Sequence, residues 1–530
     1  MNPTPFAAPD AMPLRAALAA LLAAGAGALA VLAFPPFGLS TVLVVALALL
    51  YGLLAGRRPL EGFLIGWAFG IGMLGFGIFW IRISLNEFGN MGTLLAHALT
   101  LLFILTMALY HGLLGGLTAW LSRPRRIPTG TQADPQLQAL PAARDWVGPL
   151  LAFPALWVLL EWLRGWLLTG FPWLNAGDSQ IDGLLAGFVP LVGVYGVSLL
   201  IPLSAGLLWS LAAWRGRGRL GAVSALTLIW LTGLGLARLE WTQPEGEPIR
   251  AAVLQANIPQ SLKWNQESLF PTLRAYVELT REAFGNDVIV WPETAIPEFL
   301  DRVRKPLLEP LSEEAREEGA QLVIGLPVLD YEQHTYFNSL ISLGKGDEDL
   351  YKKRHLVPFG EFMPLRSVLG PLARAFEVPM SDFSSGMAER PLLQVGPHAV
   401  GVSICYEDAF AAEVVQALPE AAYLINVSND AWFGDSLAPH QHLGIARMRA
   451  LENGRPLLRA TNTGISAIID HRGQIQGRVP TFERGFISAE IQPRIGLTPF
   501  ARVGNGLAIG LAWALLGLAL ILILPTRSRP

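Results

Sequence analysis

The sequence predicts a membrane protein of two parts, an α-helical transmembrane bundle of about eight spans and a water-soluble α/β sandwich domain. Of its 530 residues, 52% are hydrophobic and only 15% are charged, whereas a soluble protein carries about a quarter charged residues. The mean hydropathy is +0.41. Asp, Glu, Lys and Arg are absent from 16–56 and from 88–122 but frequent in 240–494. Lipid is therefore the solvent of one half of the chain and water the solvent of the other.

Eight apolar segments define the predicted spans, since a helix needs about 20 apolar residues to cross a bilayer. They lie near 14–34, 39–56, 60–80, 93–121, 147–168, 183–213, 220–238 and 503–524. The second segment follows the first almost at once, so we interpret the first as a span and not as a cleaved signal peptide. The predicted domains are a transmembrane domain (1–242), a soluble domain (243–496), and a final span with its tail (497–530).

Arginine is distributed unevenly among the short loops. Several arginines follow the second, fourth, sixth and eighth spans, whereas the alternate short loops hold only Arg82. Loops rich in Lys and Arg stay in the cytoplasm. We therefore expect both termini in the cytoplasm and the soluble domain on the outer side, which in a bacterium is the periplasm.

Two charged residues, Glu161 and Arg164, lie inside the predicted fifth span. Charge within a membrane is costly unless it is paired, and an i,i+3 spacing places both side chains on one helix face. The favoured interpretation is an ion pair that steadies the bundle. The alternative is a polar contact with a lipid headgroup near the outer interface.

The soluble part alternates short apolar runs with amphipathic stretches, which is the pattern of an α/β sandwich. Helices are predicted at 266–284 and 306–319. The predicted strands are 251–255, 288–291, 321–326, 338–343, 399–404, 423–427 and 466–470. Nearly continuous apolar strands indicate burial on both sheet faces. The loop 123–144 is of low complexity, and we expect it to be disordered.

Two clusters at predicted strand ends combine an acid with a base-type cation. Glu293 follows the apolar run 288–291, the position at which α/β sheets place ligands. Lys353 precedes a Val-Pro-Phe-Gly turn that ends in Glu361, a carboxylate that could fix the ammonium. The alternative interpretations are a helix cap or surface acid for Glu293 and a solvated charge for Lys353.

The third cluster contains the one cysteine of the chain, Cys405, between an apolar strand and an acidic segment. A thiol at a strand-to-helix corner meets the positive end of the helix, which favours the thiolate. The same corner directs backbone N–H groups toward a developing oxyanion. A lone cysteine is more often a small buried core residue. This cluster therefore indicates a catalytic site only in combination with the other two clusters.

The order Glu, Lys, Cys at these strand ends resembles the nitrilase superfamily. Together with the spans, it resembles the membrane-embedded branch of that superfamily, the bacterial apolipoprotein N-acyltransferase family. The matching strings cover essentially the whole chain and are 170–174, 255–264, 291–293, 355–361 and 428–433. The resemblance implies an α-β-β-α sandwich for the soluble domain and a location in the bacterial inner membrane.

The resemblance also implies roles for individual residues. Glu293 would be the general base and Cys405 the nucleophile that forms a thioester with a fatty acyl group. Lys353 and the backbone N–H of Tyr406 would stabilise the tetrahedral oxyanion. Site-supporting or substrate-binding positions map onto Trp264, Glu361, Tyr406 and Glu407.

The implied reaction has two substrates, and it completes lipoprotein maturation. A phospholipid of the bilayer would be the acyl donor, and the free N-terminal amine of a diacylated apolipoprotein would be the acceptor in a ping-pong sequence. No cofactor is expected, and no metal site, since no Cys/His cluster has ligand spacing. A net charge of −3 without a basic stripe gives no indication of nucleic-acid binding. We expect a monomer.

Two other functions share some of these features. A membrane-tethered nitrilase-type amidase would use the same three residues but hydrolyse its acyl-enzyme with water. A transporter or receptor would need charged groups or broken helices at the bilayer midplane, and the spans offer little beyond Glu161 and Arg164. Residues 362–385 are either an apolar mobile cover that shields the acyl-enzyme or a surface loop.

Overall fold

A computed structural model gives the structure of the chain and describes residues 14–89, 91–122, 145–364, 382–387 and 389–523. The predicted disordered loop 123–144 lies outside the described residues. So does most of the predicted cover, of which 362–364 and 382–385 are described.

Six helices within the described ranges are long and apolar enough to cross a membrane. They are Leu14–Ala33, Pro59–Gly77, Thr93–Leu121, Ala186–Ala213, Gly216–Leu236 and Gly506–Ile523. All six lie at predicted spans.

The predicted second and fifth spans are also helical, but they are shorter than predicted. One is Thr41–Leu54. The other is Phe153–Arg164, extended at its start by the single turn Gly148–Ala152. The first of these helices lies between turns at Gly38 and Gly56, both with positive φ, a conformation in which glycine carries no steric penalty. The prediction of about eight spans therefore corresponds to six full-length helices and two short ones in the described part of the chain.

Small residues let the first membrane helices pack closely. A methyl group on Gly66 would lie 2.2 Å from the carbonyl oxygen of His111, and one on Gly115 would lie 2.1 Å from the carbonyl oxygen of Gly62. Pro59–Gly77 and Thr93–Leu121 therefore touch backbone to backbone. Such contacts are typical of membrane interfaces, where close van der Waals packing drives helix association.

Glu161 and Arg164 fasten a buried loop and do not bond to each other. The Glu161 carboxylate accepts hydrogen bonds from Trp157 Nε1 at 3.1 Å and from the Ala176 amide at 2.8 Å. Arg164 Nη2 donates to Asn175 Oδ1 at 3.1 Å. The predicted direct ion pair is thus replaced by hydrogen bonds to the segment that follows.

Two six-stranded sheets form the soluble domain. The first has the order β13, β2, β3, β4, β5, β6 and the second the order β12, β11, β10, β9, β8, β7. The first sheet contains β2 (Ile249–Gln255), β3 (Val288–Val290), β4 (Gln321–Asp330), β5 (Thr335–Gly344), β6 (Asp349–Lys352) and β13 (Gly485–Ile491). The second contains β7 (Leu392–Val395), β8 (His398–Ile404), β9 (Leu424–Ser428), β10 (Leu457–Thr461), β11 (Ser466–Ile469) and β12 (Ile475–Val479).

The two sheets pack face to face and are covered by helices outside, which confirms the predicted α-β-β-α sandwich. Alternate residues of β2 and β3, such as Val253 and Val290, pack against residues of the second sheet, such as Ile404 and Val427. Helices Gln266–Glu282 and Glu309–Glu317 cover the first sheet. The central strands are parallel and the outer ones antiparallel. Short helices also occur at Leu300–Val303, Ala411–Val414 and Pro499–Val503, and a short ribbon pairs β1 (Gln243–Pro244) with β14 (Arg494–Ile495).

Helix Ala438–Asn453 joins the soluble domain to the bundle. Gln441 Oε1 accepts hydrogen bonds from Trp80 Nε1 at 3.2 Å and from Trp173 Nε1 at 2.7 Å, and its Nε2 donates to the Gly77 carbonyl at 3.0 Å. At the other end, Glu452 accepts from the Val194 amide at 2.7 Å. Almost the whole helix is buried, so the two parts form one continuous structure.

Candidate active site

The ends of β3, β6 and β8 meet at one point between the two sheets, directly above the bundle. Glu293 follows β3, Lys353 follows β6 and Cys405 follows β8. Glu293 and Lys353 lie close enough to Cys405 for their charges to act on its thiol. The structure therefore brings together the three side chains that the sequence analysis selected.

Glu293 is a buried carboxylate with a fixed orientation. Its Oε1 accepts a hydrogen bond of 2.6 Å from Asn338 Nδ2 and lies 3.7 Å from Lys353 Nζ. The turn that carries it packs on Gly325 of β4, where a methyl group would lie 2.3 Å from the Pro292 carbonyl oxygen. A side chain at Gly325 would therefore displace the carboxylate, which makes glycine a requirement of this position.

Lys353 is completely buried and lies between two carboxylates. Its Nζ is 2.8 Å from Glu361 Oε2 and 3.7 Å from Glu293 Oε1. Burial alone would lower the pKa of Lys353, but the carboxylates of Glu361 and Glu293 outweigh it and raise the pKa above the usual value. The ammonium is therefore a permanent positive charge, held between Glu361 and Glu293.

Cys405 occupies a tight corner with a φ of 54°. The corner continues into the short 3₁₀ turn Cys405–Ala409 and not into a long helix. Burial and the Glu293 carboxylate raise the pKa of the Cys405 thiol well above its usual value, although Lys353 acts in the opposite direction. The expectation that a helix terminus favours the thiolate is therefore wrong for the resting state. The thiol is protonated and needs a base.

Glu361 and Glu407 both support the site, but they do so differently. Glu361 binds Lys353, and its Oε2 accepts a hydrogen bond of 2.8 Å from the Val357 amide. Glu407 accepts hydrogen bonds from the Ile404 amide at 2.7 Å, the Arg354 amide at 2.7 Å and the Tyr351 hydroxyl at 3.0 Å. Glu407 thus connects the end of β6 to the turn that carries Cys405. Its carboxylate oxygens are already engaged by hydrogen bonds within the protein.

Tyr406 and Trp264 differ in how their side chains are engaged. The Tyr406 hydroxyl donates a hydrogen bond of 3.0 Å to the Gly170 carbonyl, which joins the cysteine corner to the membrane bundle. The side chain of Trp264 is 57% exposed. The Trp264 indole is therefore largely open to solvent, whereas the Tyr406 side chain is already engaged.

A buried network of charged residues, which the sequence analysis did not predict, lies next to the turn that carries Cys405. His442 Nδ1 lies 2.8 Å from Asp430 Oδ1, and its Nε2 lies 2.9 Å from Asp408 Oδ1. Arg459 contacts both aspartates. Burial and Arg459 act to lower the pKa of His442, but the two aspartates raise it to about 9. His442 is therefore an imidazolium at neutral pH.

Asn338 and Lys263 are two further polar residues at the site that the sequence did not reveal. Asn338 donates to both Glu293 and Glu361, and Lys263 Nζ donates to the Glu293 carbonyl at 3.2 Å. Asn338 is the first residue of a predicted apolar strand, and a polar side chain at that position could have indicated a role at the site. Lys263 directly precedes Trp264, and nothing local distinguishes it from a surface lysine.

Aromatic residues border the site on its membrane side. Trp432 and Phe433 follow β9, and their rings pack on Phe88 at 5.3 Å and on Trp80 at 4.7 Å between centroids. Trp432 remains 38% exposed. Within the described ranges, no group of three or more His, Cys, Asp or Glu side chains could hold a metal ion.

The carbon–nitrogen hydrolase family model matches residues 250–500, the range that contains Glu293, Lys353 and Cys405. A second model, the apolipoprotein N-acyltransferase N-terminal domain, matches residues 26–207. The chain is 43% identical to the apolipoprotein N-acyltransferase of Methylococcus capsulatus over 94% of this chain and 95% of the relative. It is 42% identical to that of Nitrosomonas europaea, over 93% and 95% of the two chains. The chain therefore belongs to the apolipoprotein N-acyltransferase family.

Proposed function

We propose that this protein transfers a fatty acyl chain from a phospholipid to the free N-terminal amine of a diacylglyceryl-cysteine apolipoprotein. The names of its relatives support this reaction. The observation that carries the residue assignment is the convergence of Glu293, Lys353 and Cys405 at one point above the membrane helices. The assigned domains are 1–242 for the bundle, 243–496 for catalysis and 497–530 for the last span.

In the first half-reaction Glu293 takes the proton of the Cys405 thiol. The sulfur then attacks the ester carbonyl of the phospholipid, and the negative charge moves onto the carbonyl oxygen. Lys353 and the backbone N–H of Tyr406 stabilise this oxyanion. When the intermediate collapses, the C–O bond breaks and Glu293 returns its proton to the departing lysophospholipid. A thioester remains on Cys405.

In the second half-reaction the acceptor amine attacks the thioester. Glu293 accepts a proton from the attacking nitrogen, and the C–S bond breaks. The proton then returns to the sulfur, which restores the resting thiol and releases a triacylated product. Because each half-reaction ends with one product leaving, the kinetics are ping-pong.

The remaining residues keep this geometry. Glu361 holds Lys353 in place and keeps it charged, and Glu407 fixes the corner that carries Cys405. Tyr406 anchors that corner to the bundle. Trp264 is the exposed member and contacts substrate.

The orientation follows from the arginine distribution among the loops. The catalytic domain lies in the periplasm and both termini lie in the cytoplasm, within the bacterial inner membrane. This placement gives Cys405 access to phospholipids of the outer leaflet and to exported lipoproteins. A single chain carries the complete set of site residues, so a monomer suffices.

The test uses purified enzyme in detergent with a phospholipid and a synthetic diacylated lipopeptide that has a free N-terminal amine. The expected product is a triacylated lipopeptide, detected by mass spectrometry, with equimolar lysophospholipid. The C405A variant should form neither, and the surface variant K345M should match the wild type. Release of free fatty acid without acylated peptide would instead identify a hydrolase and contradict the proposal.

A further inference from the structure

A second buried lysine, Lys263, lies beside the three residues and has no part in the mechanism above. Lys263 is only 4% exposed. Among the described residues, its ammonium makes one hydrogen bond, of 3.2 Å to the main-chain carbonyl oxygen of Glu293. Lysine is almost never fully buried unless it is paired. Its place next to the reacting groups therefore calls for an explanation.

The segment that carries Lys263 is held firmly. The Asn257 amide bonds to the Asn462 carbonyl at 3.1 Å, and the side chain of Asn462 bonds to both main-chain polar groups of Ile258 at 2.9 and 2.7 Å. Asn429 Nδ2 donates to Gln260 Oε1 at 2.7 Å. The ammonium is thus set at a fixed position and is not a flexible surface charge.

Lys263 adds a second lysine cation to the charged groups near the thiol, which also include Asp430. Glu293 and Glu361 supply two carboxylates, and Lys353, which contacts both, supplies one positive charge. Lys263 supplies the second. The charged or titratable groups that act on it are Glu293, from the turn after β3, and Cys405, from the corner after β8.

We propose that Lys263 is a second cationic positioning residue, which stabilises the negative charge on Cys405 and on the oxyanion while its hydrogen bond holds the Glu293 turn. The inference rests on the proposed acyl transfer. In this proposal the two neighbouring residues have different roles. Lys263 places its charge inside the site, and Trp264 exposes its indole.

The pH dependence supports a test of this role. Burial lowers the pKa of Lys263 to about 8, with Glu293 and Cys405 acting in the opposite direction. The ammonium therefore loses its charge as the pH rises through about 8. Arginine stays protonated in that range, so K263R should extend acyl-enzyme formation to higher pH.

Three substitutions separate charge from hydrogen bonding. K263Q keeps a donor but has no charge, K263R keeps both, and K263M has neither. The readouts are the rate of acyl-enzyme formation with phospholipid and the rate of Cys405 alkylation by iodoacetamide between pH 6 and 10. K345M, at an exposed site, is the control. Loss of a nearby charge should slow both rates about 10- to 100-fold in K263Q and K263M, whereas K263R should retain most of each rate.

Wild-type rates in K263Q would overturn the inference, because they would leave Lys263 only a structural hydrogen bond. If K263M does not fold, the comparison of K263Q with K263R at matched thermal unfolding temperatures decides the question. Failure of the proposed function looks different, because wild type and K345M would then produce no triacylated lipopeptide.

Discussion

At the residue scale, the site depends on groups that stabilise the reacting residues without reacting themselves. Glu407 accepts hydrogen bonds from three main-chain amides, of Ile404, Arg354 and His355, and from the Tyr351 hydroxyl. A carboxylate with this many donors is difficult to replace, because any weaker acceptor leaves buried donors unsatisfied.

The variant E407Q should therefore lower both stability and catalysis. An amide has one acceptor oxygen instead of two, so at least one buried donor loses its partner at a cost of about 1–3 kcal/mol. The measurements are thermal unfolding in detergent and the rate of acyl-enzyme formation. Y351F, which removes a single donor, should have the smaller effect, and an E407Q protein with wild-type stability would contradict this role.

The stability of the protein should also depend on the charge of His442. Its pKa is raised from 6.5 to about 9 in the folded state, so its stabilising contribution is complete below about pH 6.5 and is lost as the pH rises through about 9. Lys263, whose pKa is lowered to about 8, acts in the opposite direction over the upper part of this range.

The comparison must therefore be made between wild type and H442Q at each pH. The difference in unfolding temperature between them should shrink as the pH rises from 6.5 to 10. A difference that stays constant over this range would show that His442 is not charged in the folded protein.

The sequence predicted the residues that lie at strand ends and missed those that approach from distant segments. Glu293 and Cys405 each follow a short apolar run, a signal contained within a few residues, whereas Lys353 was selected from the turn after it that ends in Glu361. Lys263 and His442 reach the site only through tertiary packing. The residues next to them in the sequence form no pattern that indicates this packing, so local sequence analysis could not have identified them.

At the element scale, predicted strands agree best where both faces are apolar. β2, β8 and β9 lie within a residue or two of the predicted ranges. β10 was missed because Arg459 interrupts its apolar run, although that arginine is buried and paired with Asp408 and Asp430. Helix Ala438–Asn453 was missed for a related reason. It is buried on nearly all sides, so it has no amphipathic periodicity.

The close packing of the first membrane helices predicts that two glycines of the same helix differ in how well they tolerate substitution by alanine. Gly66 and Gly75 both lie on helix Pro59–Gly77, but only Gly66 faces a neighbouring backbone, whereas a methyl group on Gly75 would meet no atom within 4 Å. G66A should lower the unfolding free energy by about 1–3 kcal/mol through overpacking. G75A should leave it unchanged or raise it slightly. Equal thermal stability of the two variants in detergent would argue against this helix contact.

At the scale of the whole molecule, helix Ala438–Asn453 couples catalysis to the membrane. One end of the helix carries His442 below the cysteine, and the neighbouring Gln441 bonds to three groups of the bundle. The active site is therefore fixed relative to the membrane helices.

Q441L should weaken this coupling. Leucine would leave the Trp173 indole N–H without its buried acceptor, at about 1–3 kcal/mol, whereas Trp80 Nε1 and the Gly77 carbonyl would keep their mutual hydrogen bond of 3.1 Å. We expect a lower unfolding temperature and slower acylation by phospholipid in vesicles. Q333L, at an exposed position in the soluble domain, serves as the control. Wild-type behaviour of Q441L would show that the two parts are positioned by other contacts.

The central claim is that Cys405 carries the acyl group between the two substrates. The most direct measurement is mass spectrometry of the purified protein after exposure to phospholipid alone, followed by proteolysis to locate the modification. This role of Cys405 predicts the mass of one acyl chain on the peptide that contains Cys405, and its loss when the diacylated lipopeptide is added. An acyl group on another residue, or triacylated product formed without any acylated protein, would contradict it.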